Sequence, residues 1–497
     1  MLRVIGQAYL LYFIRINIRV YIHIMMITQI LIHKVCGGVM NFSSLSASIR
    51  HRIPDVLLTL ALCCAPQTFA GEVILDTTSR ENSENSDPLQ INEKDNLALH
   101  DAIRLMLQFN PELASFSKEI RALEGIKIQA GKFRNPELDV ESEDVNARPN
   151  TPAAQFTTIR FSQLIELGGK RSARVNAASI GQELADRNYE SKRLELIARV
   201  ANIFTKVLAG QERLQLAEES IQLANKVVNS AAKRVEAGKA PPIEETKARV
   251  AFSTASIVLE QTRRELTATR KQLSLLWGNN SPQFGKVLGN LESRVEIPSF
   301  EVLEQRLDKN PIVLHNIKNI EQHKALVEIE KLRRIPDITV GAGVRRYTRA
   351  DETTAIVNVS IPIPLFDLNQ GNLQAANQRV GKAIDEQAAT DLQLRSELTR
   401  FYESLSAAQN EINILHDDVL PGAKNSFDIA NKGYELGRFS FLEMLDAQRT
   451  LFQNQILYVR ALTNYHHLIN EIERLTATPI NHVEDQSIST MDKDHEG

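Results

Sequence analysis

The chain has 497 residues, of which 43% are hydrophobic, 6% are aromatic and 24% are charged, with one Trp and three Cys. Its formal net charge of -3 lacks the basic excess typical of nucleic-acid-binding proteins, and no zinc-finger or helix-turn-helix pattern is present, so nucleic acid is not expected as a partner. Long tracts of Ala, Leu, Glu, Gln, Lys and Arg are typical of extended helices, which argues against a row of compact domains.

The first 70 residues are expected to be an upstream extension followed by a secretory signal. Two arginines after Met40, an apolar run over 56–65 and small residues ending at Ala70 form the pattern that a signal peptidase recognises. Residues 1–39 are interpreted as an extension from an upstream start codon, and a membrane anchor is the alternative. The three cysteines, Cys36, Cys63 and Cys64, all precede the predicted cleavage site. The exported chain is therefore expected to have no disulfide and no Cys metal ligand.

After a linker over 71–100, the sequence contains one unit twice, over 101–298 and 299–478, before a tail at 479–497 that is predicted to be disordered. Several landmarks recur at an offset of about 200 residues: Asn110-Pro111 and Asn310-Pro311, Pro136 and Pro336, Phe161-Ser162 and Val359-Ser360, Gly238 and Gly437. A nearly constant offset over four landmarks indicates a duplication.

The first unit is predicted to contain a very long helix over 169–238, because no proline lies between Pro152 and Pro241. At a rise of about 1.5 Å per residue, this helix would be roughly 100 Å long. Apolar residues recur along it every seven positions, with small residues three positions later, which predicts a coiled-coil seam: Val200, Val207, Leu214, Ile221, Val228 and Val235, then Ile203, Gly210, Ala217, Ala224 and Ala231.

The second unit repeats this pattern over 371–437, where Pro421 predicts a local kink. Each unit also has two shorter helical stretches, predicted at 101–132 and 243–278 in the first unit and at 300–334 and 439–476 in the second. Residues 279–298 are expected to connect the units. The arrangement indicated is a long helix that runs one way, lined by two shorter helices that run back.

Two strand-like segments precede each long helix, at 137–145 and 155–164 in the first unit and at 337–346 and 353–361 in the second. Apolar and polar residues alternate along them, and their length suits strands that span an outer membrane. Four strands do not close a barrel, and open sheet edges are not tolerated in lipid, so several chains are expected to share one barrel.

The acidic residues of the first strand lie on one predicted face: Glu137, Asp139, Glu141 and Glu143. If that face lines a pore, the carboxylates favour cations and repel anions. The alternative is that they are the ordinary polar residues of a barrel interior.

A set of short motifs carries a family resemblance: Asn110-Pro111-Glu112-Leu113, Asn135-Pro136-Glu137-Leu138, Glu166-Leu167-Gly168-Gly169-Lys170-Arg171, Asn369-Gln370-Gly371 and Leu445-Asp446-Ala447-Gln448-Arg449. Together they resemble the TolC-like outer-membrane efflux factors, and most closely the branch that serves cobalt, zinc and cadmium efflux. The likeness extends over residues 95–476.

The resemblance implies a mainly α fold with a small β portion. Long antiparallel coiled-coil helices would form a periplasmic tunnel, and four strands per chain would contribute to a trimeric, twelve-stranded outer-membrane barrel. The implied partners are a homotrimer of this chain, a periplasmic membrane-fusion adaptor, an inner-membrane RND pump and outer-membrane lipid. The implied activity is passive efflux without enzymatic chemistry, cofactor or bound metal. Divalent heavy-metal cations are the expected cargo, with organic compounds or type I secretion substrates as the alternative.

The resemblance also places adaptor docking and gating at the periplasmic tip, around the turns at Gly238 and Gly437. The charged residues implied at the tip are Lys239, Glu244, Arg438, Glu443 and Asp446. The alternative is that the glycines only cap helices and that the charges are solvated surface residues. Pro241-Pro242 departs from the second unit and is expected to stiffen the first turn.

A soluble periplasmic coiled-coil adaptor or structural rod is the alternative from a different functional class. Such a rod has no need of four amphipathic strands, so the strands favour the duct.

Overall fold

The computed structural model describes residues 96–143, 155–348 and 350–480, so the predicted signal peptide, most of the linker and most of the predicted tail lie outside the described residues. The first unit consists of β1 (Leu97–Ala98), α1 (Leu99–Phe109), α2 (Pro111–Ala130), β2 (Glu137–Glu143), β3 (Phe156–Ile165), α3 (Lys170–Glu236), α4 (Pro242–Leu275) and β4 (Val287–Leu288). The second consists of α5 (Phe300–Arg306), a 3-10 turn (Leu307–Lys309), α6 (Pro311–Leu332), β5 (Ile338–Tyr347), β6 (Glu352–Ser360), α7 (Gln370–Ile414), a π-helical turn (Leu415–Val419), α8 (Leu420–Glu435) and α9 (Phe441–Thr476).

The first helical stretch of each unit is broken at its Asn-Pro pair, so the prediction of continuous helices over 101–132 and 300–334 is wrong. Proline lacks the backbone donor and disfavours a helical conformation in the residue before it. Asn110 and Asn310 instead cap the following helix through their side-chain oxygens, at 2.9 and 2.8 Å from the accepted backbone N–H groups. Each asparagine amide also donates to a carbonyl at the end of its unit's last helix, at 2.7 Å: Leu276 for Asn110 and Leu475 for Asn310.

The long helix α3 has 67 residues and is therefore about 100 Å long. It contacts α2 and α6 on the side of the strands, and α4 and α9 further along. Part of the predicted seam is buried, and its small residues allow close approach of the neighbouring helices: Val200, Val207, Gly210, Ala217, Ala224 and Ala231. The other predicted seam residues are half-buried in the single chain: Ile203, Leu214, Ile221, Val228 and Val235.

The second long helix continues past Pro421 through the π-helical turn, which lies just before the proline. The proline ring clashes with the carbonyl one turn earlier, and a widened turn accommodates that clash without ending the helix. The interruption expected from the sequence is therefore a local change in helical winding between α7 and α8.

The four longer strands form one antiparallel sheet in the order β2-β3-β5-β6. Its central pair, β3 and β5, joins the two units. One face is apolar and exposed in the single chain, with relative accessibilities between 57% and 76% for Leu138, Val140, Phe161, Val357 and Val359. The other face carries the acidic residues of β2. Neither β2 nor β6 has a second neighbour among the described strands.

The register of the two hairpins corrects one of the residue matches between the two units. Asp139 pairs with Arg160 in the first hairpin, and Thr339 pairs with Ser360 in the second, which is the same pair shifted by 200 residues. Phe161 therefore corresponds to Ile361, and the match of Phe161-Ser162 with Val359-Ser360 is out of register by two residues.

The main apolar core lies around the middle of α3, where α1, α5, α7 and α9 converge with the segment between the units. Leu196, Phe204, Phe284, Leu405 and Tyr465 are among its buried side chains. The short parallel pair β1–β4 closes one side of this core. No helix within 96–143, 155–348 or 350–480 is both long enough and apolar enough to cross a lipid bilayer.

Candidate functional site

Two glycine turns lie at the ends of the long helices that are farthest from the sheet. Gly238 and Gly437 have φ angles of 68° and 70°, in the left-handed region that other residues rarely adopt. The following residues, Lys239 and Arg438, donate their backbone N–H groups to helix carbonyls five residues earlier, each at 2.8 Å. This pattern satisfies the last carbonyls of α3 and α8, so both glycines are helix caps.

The second turn leads directly into a capped helix. Ser440 accepts from the backbone N–H of Glu443 at 3.3 Å, and the Glu443 carboxylate accepts from the backbone N–H of Ser440 at 2.7 Å. This backbone hydrogen bond, together with one from the Ser440 hydroxyl, lowers the pKa of the Glu443 carboxyl. Glu443 is thus engaged in shaping the turn, whereas the first turn uses Pro241 and Pro242 to start α4.

A tyrosine connects the two units at the tip. Tyr434 of α8 is 3% exposed, and its hydroxyl donates to the Glu244 carboxylate of α4 at 3.2 Å. Arg234 of α3 donates to the Tyr434 carbonyl at 2.7 Å, and its guanidinium lies 4.5 Å from the ring centroid. Phe441 of α9 packs edge-on against the same ring at 5.7 Å. One side chain thus contacts residues from three other helices.

Burial and the nearby Glu244 carboxylate raise the pKa of Tyr434, which keeps the phenol protonated and able to donate. Tyr434 belongs to a small apolar cluster at the tip, which is distinct from the main core. Its members come from all four helices that meet there: Val227, Ala231, Ala248, Ala430, Tyr434, Phe441 and Met444.

The structure brings some of the predicted tip residues together and leaves others apart. Glu244 contacts Tyr434, and Glu443 belongs to the cap of α9. Lys239 and Arg438 are exposed, and their side chains have no hydrogen bond or ion pair within the described ranges. Asp446 lies away from the turns, on the wall of a groove of about 790 Å³ between α3, α4 and α9.

Sequence reasoning missed Arg234, Tyr434 and Phe441. The sequence indicates only that two of these residues lie near the tip glycines, since Arg234 is four residues before Gly238 and Tyr434 is three residues before Gly437. Nothing in that spacing shows that α3 and α8 place these two side chains against each other.

The acidic row of β2, which consists of Glu137, Asp139, Glu141 and Glu143, is partly neutralised by an arginine of the neighbouring strand. Arg160 of β3 lies opposite Asp139, with its Nε 3.6 Å from the Asp139 carboxylate and an Nη 3.9 Å from Glu141. Ser162 also donates to Asp139 at 3.3 Å. Among the described residues, the side chains of Glu137 and Glu143 have no hydrogen bond or ion pair. The row is thus a mixed surface with two paired and two unpaired carboxylates.

An aromatic and cationic cluster lies at the far end of the same face. The Arg345 guanidinium lies 3.9 Å from the centroid of the Phe156 ring and donates to Thr158 at 3.0 Å. Tyr347 packs against the same ring at 5.8 Å. In the part of the chain that the structure describes, no three or more His, Cys, Asp or Glu side chains are arranged to hold a metal ion.

Comparisons with known proteins agree with this architecture. Residues 102–279 and 302–478 match the family described as outer membrane efflux protein, so the two matched segments follow the two units. The cobalt-zinc-cadmium resistance protein CzcC of Cupriavidus metallidurans is 39% identical over 379 residues, which cover 76% of this chain and 90% of CzcC. The nickel-cobalt-cadmium resistance protein NccC of Alcaligenes xylosoxydans xylosoxydans is 30% identical over 278 residues, covering 56% of this chain and 63% of NccC.

Solved structures share the fold at lower sequence identity. The outer membrane protein VceC of Vibrio cholerae has a TM-score of 0.66 at 20% identity, covering 77% of this chain and 96% of VceC. CusC has a TM-score of 0.67 at 17% identity, covering 78% of this chain and 93% of CusC. With its long helices and strand hairpins in the TolC-like arrangement, the chain belongs to the outer membrane efflux protein family and is an outer-membrane efflux channel with a large periplasmic part.

Proposed function

We propose that three copies of this chain form a passive duct that delivers divalent heavy-metal cations to the outside of the cell. One observation supports the proposal of a duct: a four-stranded sheet with an exposed apolar face and two unpaired edges lies at the end of a helix about 100 Å long. Unpaired strand edges are not tolerated in hydrocarbon, so further copies must complete the barrel. The duct supplies a path, without enzymatic chemistry.

The assembly and cargo are inferred from the relatives. We place the duct on a periplasmic adaptor and an inner-membrane RND pump, which supplies the energy. Heavy metals are favoured because CzcC and NccC are named for cobalt, zinc, cadmium and nickel resistance. Organic compounds are the second candidate, since a pyoverdine export protein of Pseudomonas putida is 23% identical over 347 residues.

The tip is proposed as the docking and gating end. The exposed side chains of Lys239 and Arg438 are available to an adaptor, and the groove beside Asp446 is a second contact surface. The Tyr434–Glu244 hydrogen bond connects helices of the two units, so breaking it would weaken the contact between the units at the tip. We assign gating to this contact and helix capping to Glu443.

The polar face of the sheet is proposed to line the pore. Its carboxylates outnumber its guanidinium groups in the described strands, with Glu137, Asp139, Glu141, Glu143 and Glu352 against Arg160 and Arg345. A low-dielectric wall strengthens the field of such charges and favours cations.

A deletion strain tests the cargo. Cells lacking the gene are challenged separately with zinc, cobalt, cadmium, copper and several antibiotics, and retained solute is measured with and without the gene restored. We expect retention of divalent metals that the restored gene reverses. Antibiotic retention without metal retention would overturn the metal assignment, and recovery of the mature chain in the soluble periplasmic fraction would overturn the duct.

A further inference from the structure

A loop over residues 131–136 connects α2 to β2 where the helices meet the sheet. The Gln163 side chain of β3 donates to the Arg134 carbonyl of this loop at 3.0 Å. Gln163 alternates in step with Phe161 along β3 and pairs with Val340, so it belongs to the apolar face of the sheet. The loop therefore lies beside the end of the apolar face that is nearest to the helices.

This loop carries an exposed aromatic side chain with a cation beside its ring. Phe133 is 75% exposed, and the Arg171 guanidinium at the start of α3 lies 4.1 Å from its ring centroid. The second unit reaches the same place, because an ideal Cβ on Gly168 would lie 2.5 Å from the Ile335 side chain. Ile335 is itself 38% exposed. Residues that follow α2 and α6 therefore meet at the start of α3, with apolar side chains open to solvent in the single chain.

Basic side chains around the start of α3 exceed the acidic ones that pair with them. Four carboxylates of this region have partners within the chain: Glu166 with Arg174, Asp337 with Lys170, Glu330 with Arg333, and Asp367 with the backbone N–H of Asn369. Four further basic side chains have no ion pair among the described residues: Lys132, Arg134, Arg171 and Arg334. Together with Phe133, these four residues are called the junction patch below. Glu137 follows the loop but belongs to the polar face, on the other side of the sheet.

The position and charge of the junction patch suit an anionic phospholipid. Membrane β-barrels carry aromatic side chains where the hydrocarbon meets the headgroups, and clusters of Lys and Arg beside a membrane attract anionic headgroups. The apolar face ends at this level and the periplasmic helices begin, so the patch is expected at the headgroups of the periplasmic leaflet. Its unpaired cations complement a phosphodiester, and the Phe133 ring complements the glycerol and the upper part of the acyl chains.

We propose that the junction patch binds the headgroup of an anionic phospholipid in the periplasmic leaflet of the outer membrane, with the Phe133 ring at the level of the headgroups. The proposal rests on the apolar face lying in lipid, as in the duct proposed above. It adds the place on the chain where one class of lipid is bound in preference to others.

Lipid binding to the full-length protein, purified as its multimer in detergent, tests the headgroup preference. Phosphatidylglycerol or phosphatidylcholine with the same acyl chains is added, and bound lipid is counted by native mass spectrometry. The patch variant is Lys132→Gln with Arg134→Gln. The matched control is Lys118→Gln with Lys247→Gln, which removes two exposed cations of α2 and α4 outside the patch.

The natural protein and the control variant should both bind phosphatidylglycerol more tightly than phosphatidylcholine. In the patch variant, the affinity for phosphatidylglycerol should fall by about fivefold or more, since each Lys or Arg beside an anionic surface contributes about that factor. Its affinity for phosphatidylcholine should stay the same. Equal affinities of the natural protein for both lipids, or an equal loss in both variants, would overturn the proposal. Displacement of the lipid by inorganic phosphate at constant ionic strength would assign the patch to free phosphate instead and would also overturn it.

Fluorescence quenching tests the position of Phe133 in the bilayer independently. Phe133→Trp is reconstituted in phosphatidylglycerol vesicles whose acyl chains carry bromine either near the headgroup or near the chain end. The natural protein, which has one Trp, gives the background. We expect the introduced indole to be quenched more strongly by the bromine near the headgroup. No quenching in a protein that inserts and conducts would show that Phe133 lies outside the bilayer or under another copy, which overturns this proposal and leaves the duct intact. A protein that fails to insert would instead overturn the proposed function.

Discussion

At the scale of single residues, Tyr434 is where the two units are connected at the tip. Tyr434→Phe removes the 3.2 Å hydrogen bond to Glu244 and keeps the ring between Arg234 and Phe441. We expect a more open tip, measured as a higher single-channel conductance in planar bilayers. Tyr465→Phe is the matched control, because that hydroxyl bonds to Val295 in the main core. Equal conductance of Tyr434→Phe and the natural protein would contradict the gating assignment.

Arg160 controls how much of the acidic row is unpaired. Arg160→Gln releases Asp139 and Glu141 from their contacts at 3.6 and 3.9 Å and removes a positive charge from the polar face. The reversal potential in a KCl gradient should therefore shift toward stronger cation selectivity. Arg346→Gln serves as the control, since that arginine lies on the opposite face and pairs with Asp351 at 2.8 Å. An identical shift in both variants would mean that the polar face does not line the pore.

Glu473 is expected to give stability a pH dependence. Burial raises the pKa of its carboxyl, although the carboxyl accepts from the backbone N–H of Ile480 at 2.9 Å. A raised pKa in the folded state means that this group favours folding below its ordinary value of 4.5 and loses that contribution as pH rises through the raised value. Glu473→Gln should therefore raise the thermal midpoint at neutral pH and leave it nearly unchanged at pH below 4.5.

Glu443→Gln is expected to change the thermal midpoint at neutral pH in the opposite direction to Glu473→Gln. The pKa of Glu443 is lowered by the hydrogen bonds from Ser440, so its contribution is present above the ordinary value of 4.5 and disappears as pH falls through the lowered value. The substitution should lower the thermal midpoint at neutral pH. A pH profile that shifts in the same direction for both variants would contradict these assignments.

At the scale of elements, each Asn-Pro pair marks the start of a helix. Its asparagine also donates a hydrogen bond to a carbonyl at the end of another helix. Asn310→Ala removes the cap of α6 and the 2.7 Å bond to the Leu475 carbonyl. Loss of a helix cap costs about 1 kcal/mol, and the lost tie adds to that cost. The thermal midpoint followed by helical circular dichroism should fall. Asn316→Ala within α6 should have a smaller effect, because the one hydrogen bond of its side chain among the described residues is with the adjacent His315.

The sequence was most informative where one residue type has one strong backbone effect. Absence of proline predicted a helix over 169–238, and the structure has α3 at Lys170–Glu236. Strand positions followed from alternation, because a sheet with two different faces requires it. The break at Asn110 was missed although Pro111 marks it, because α1 and α2 follow each other with only Asn110 between them.

At the scale of the whole molecule, the duplication predicted the architecture and could not predict its asymmetries. The constant offset indicates two equivalent units, and the hairpins share one register. Differences between units depend on side chains that meet only after folding, such as Lys170 with Asp337 or Arg160 with Asp139. The tip contact of Tyr434 belongs to the same class, since it joins residues about 190 positions apart in the sequence.

The two unpaired edges of the sheet also constrain the order of events during biogenesis. A single chain has an exposed apolar face but no way to satisfy the backbone groups of β2 and β6 in hydrocarbon. In the shared barrel proposed above, membrane insertion therefore accompanies or follows association of the copies. On that proposal, a newly exported chain stays in the aqueous periplasm until it meets other copies, and the yield of inserted channels should rise more steeply than in proportion to the rate of synthesis.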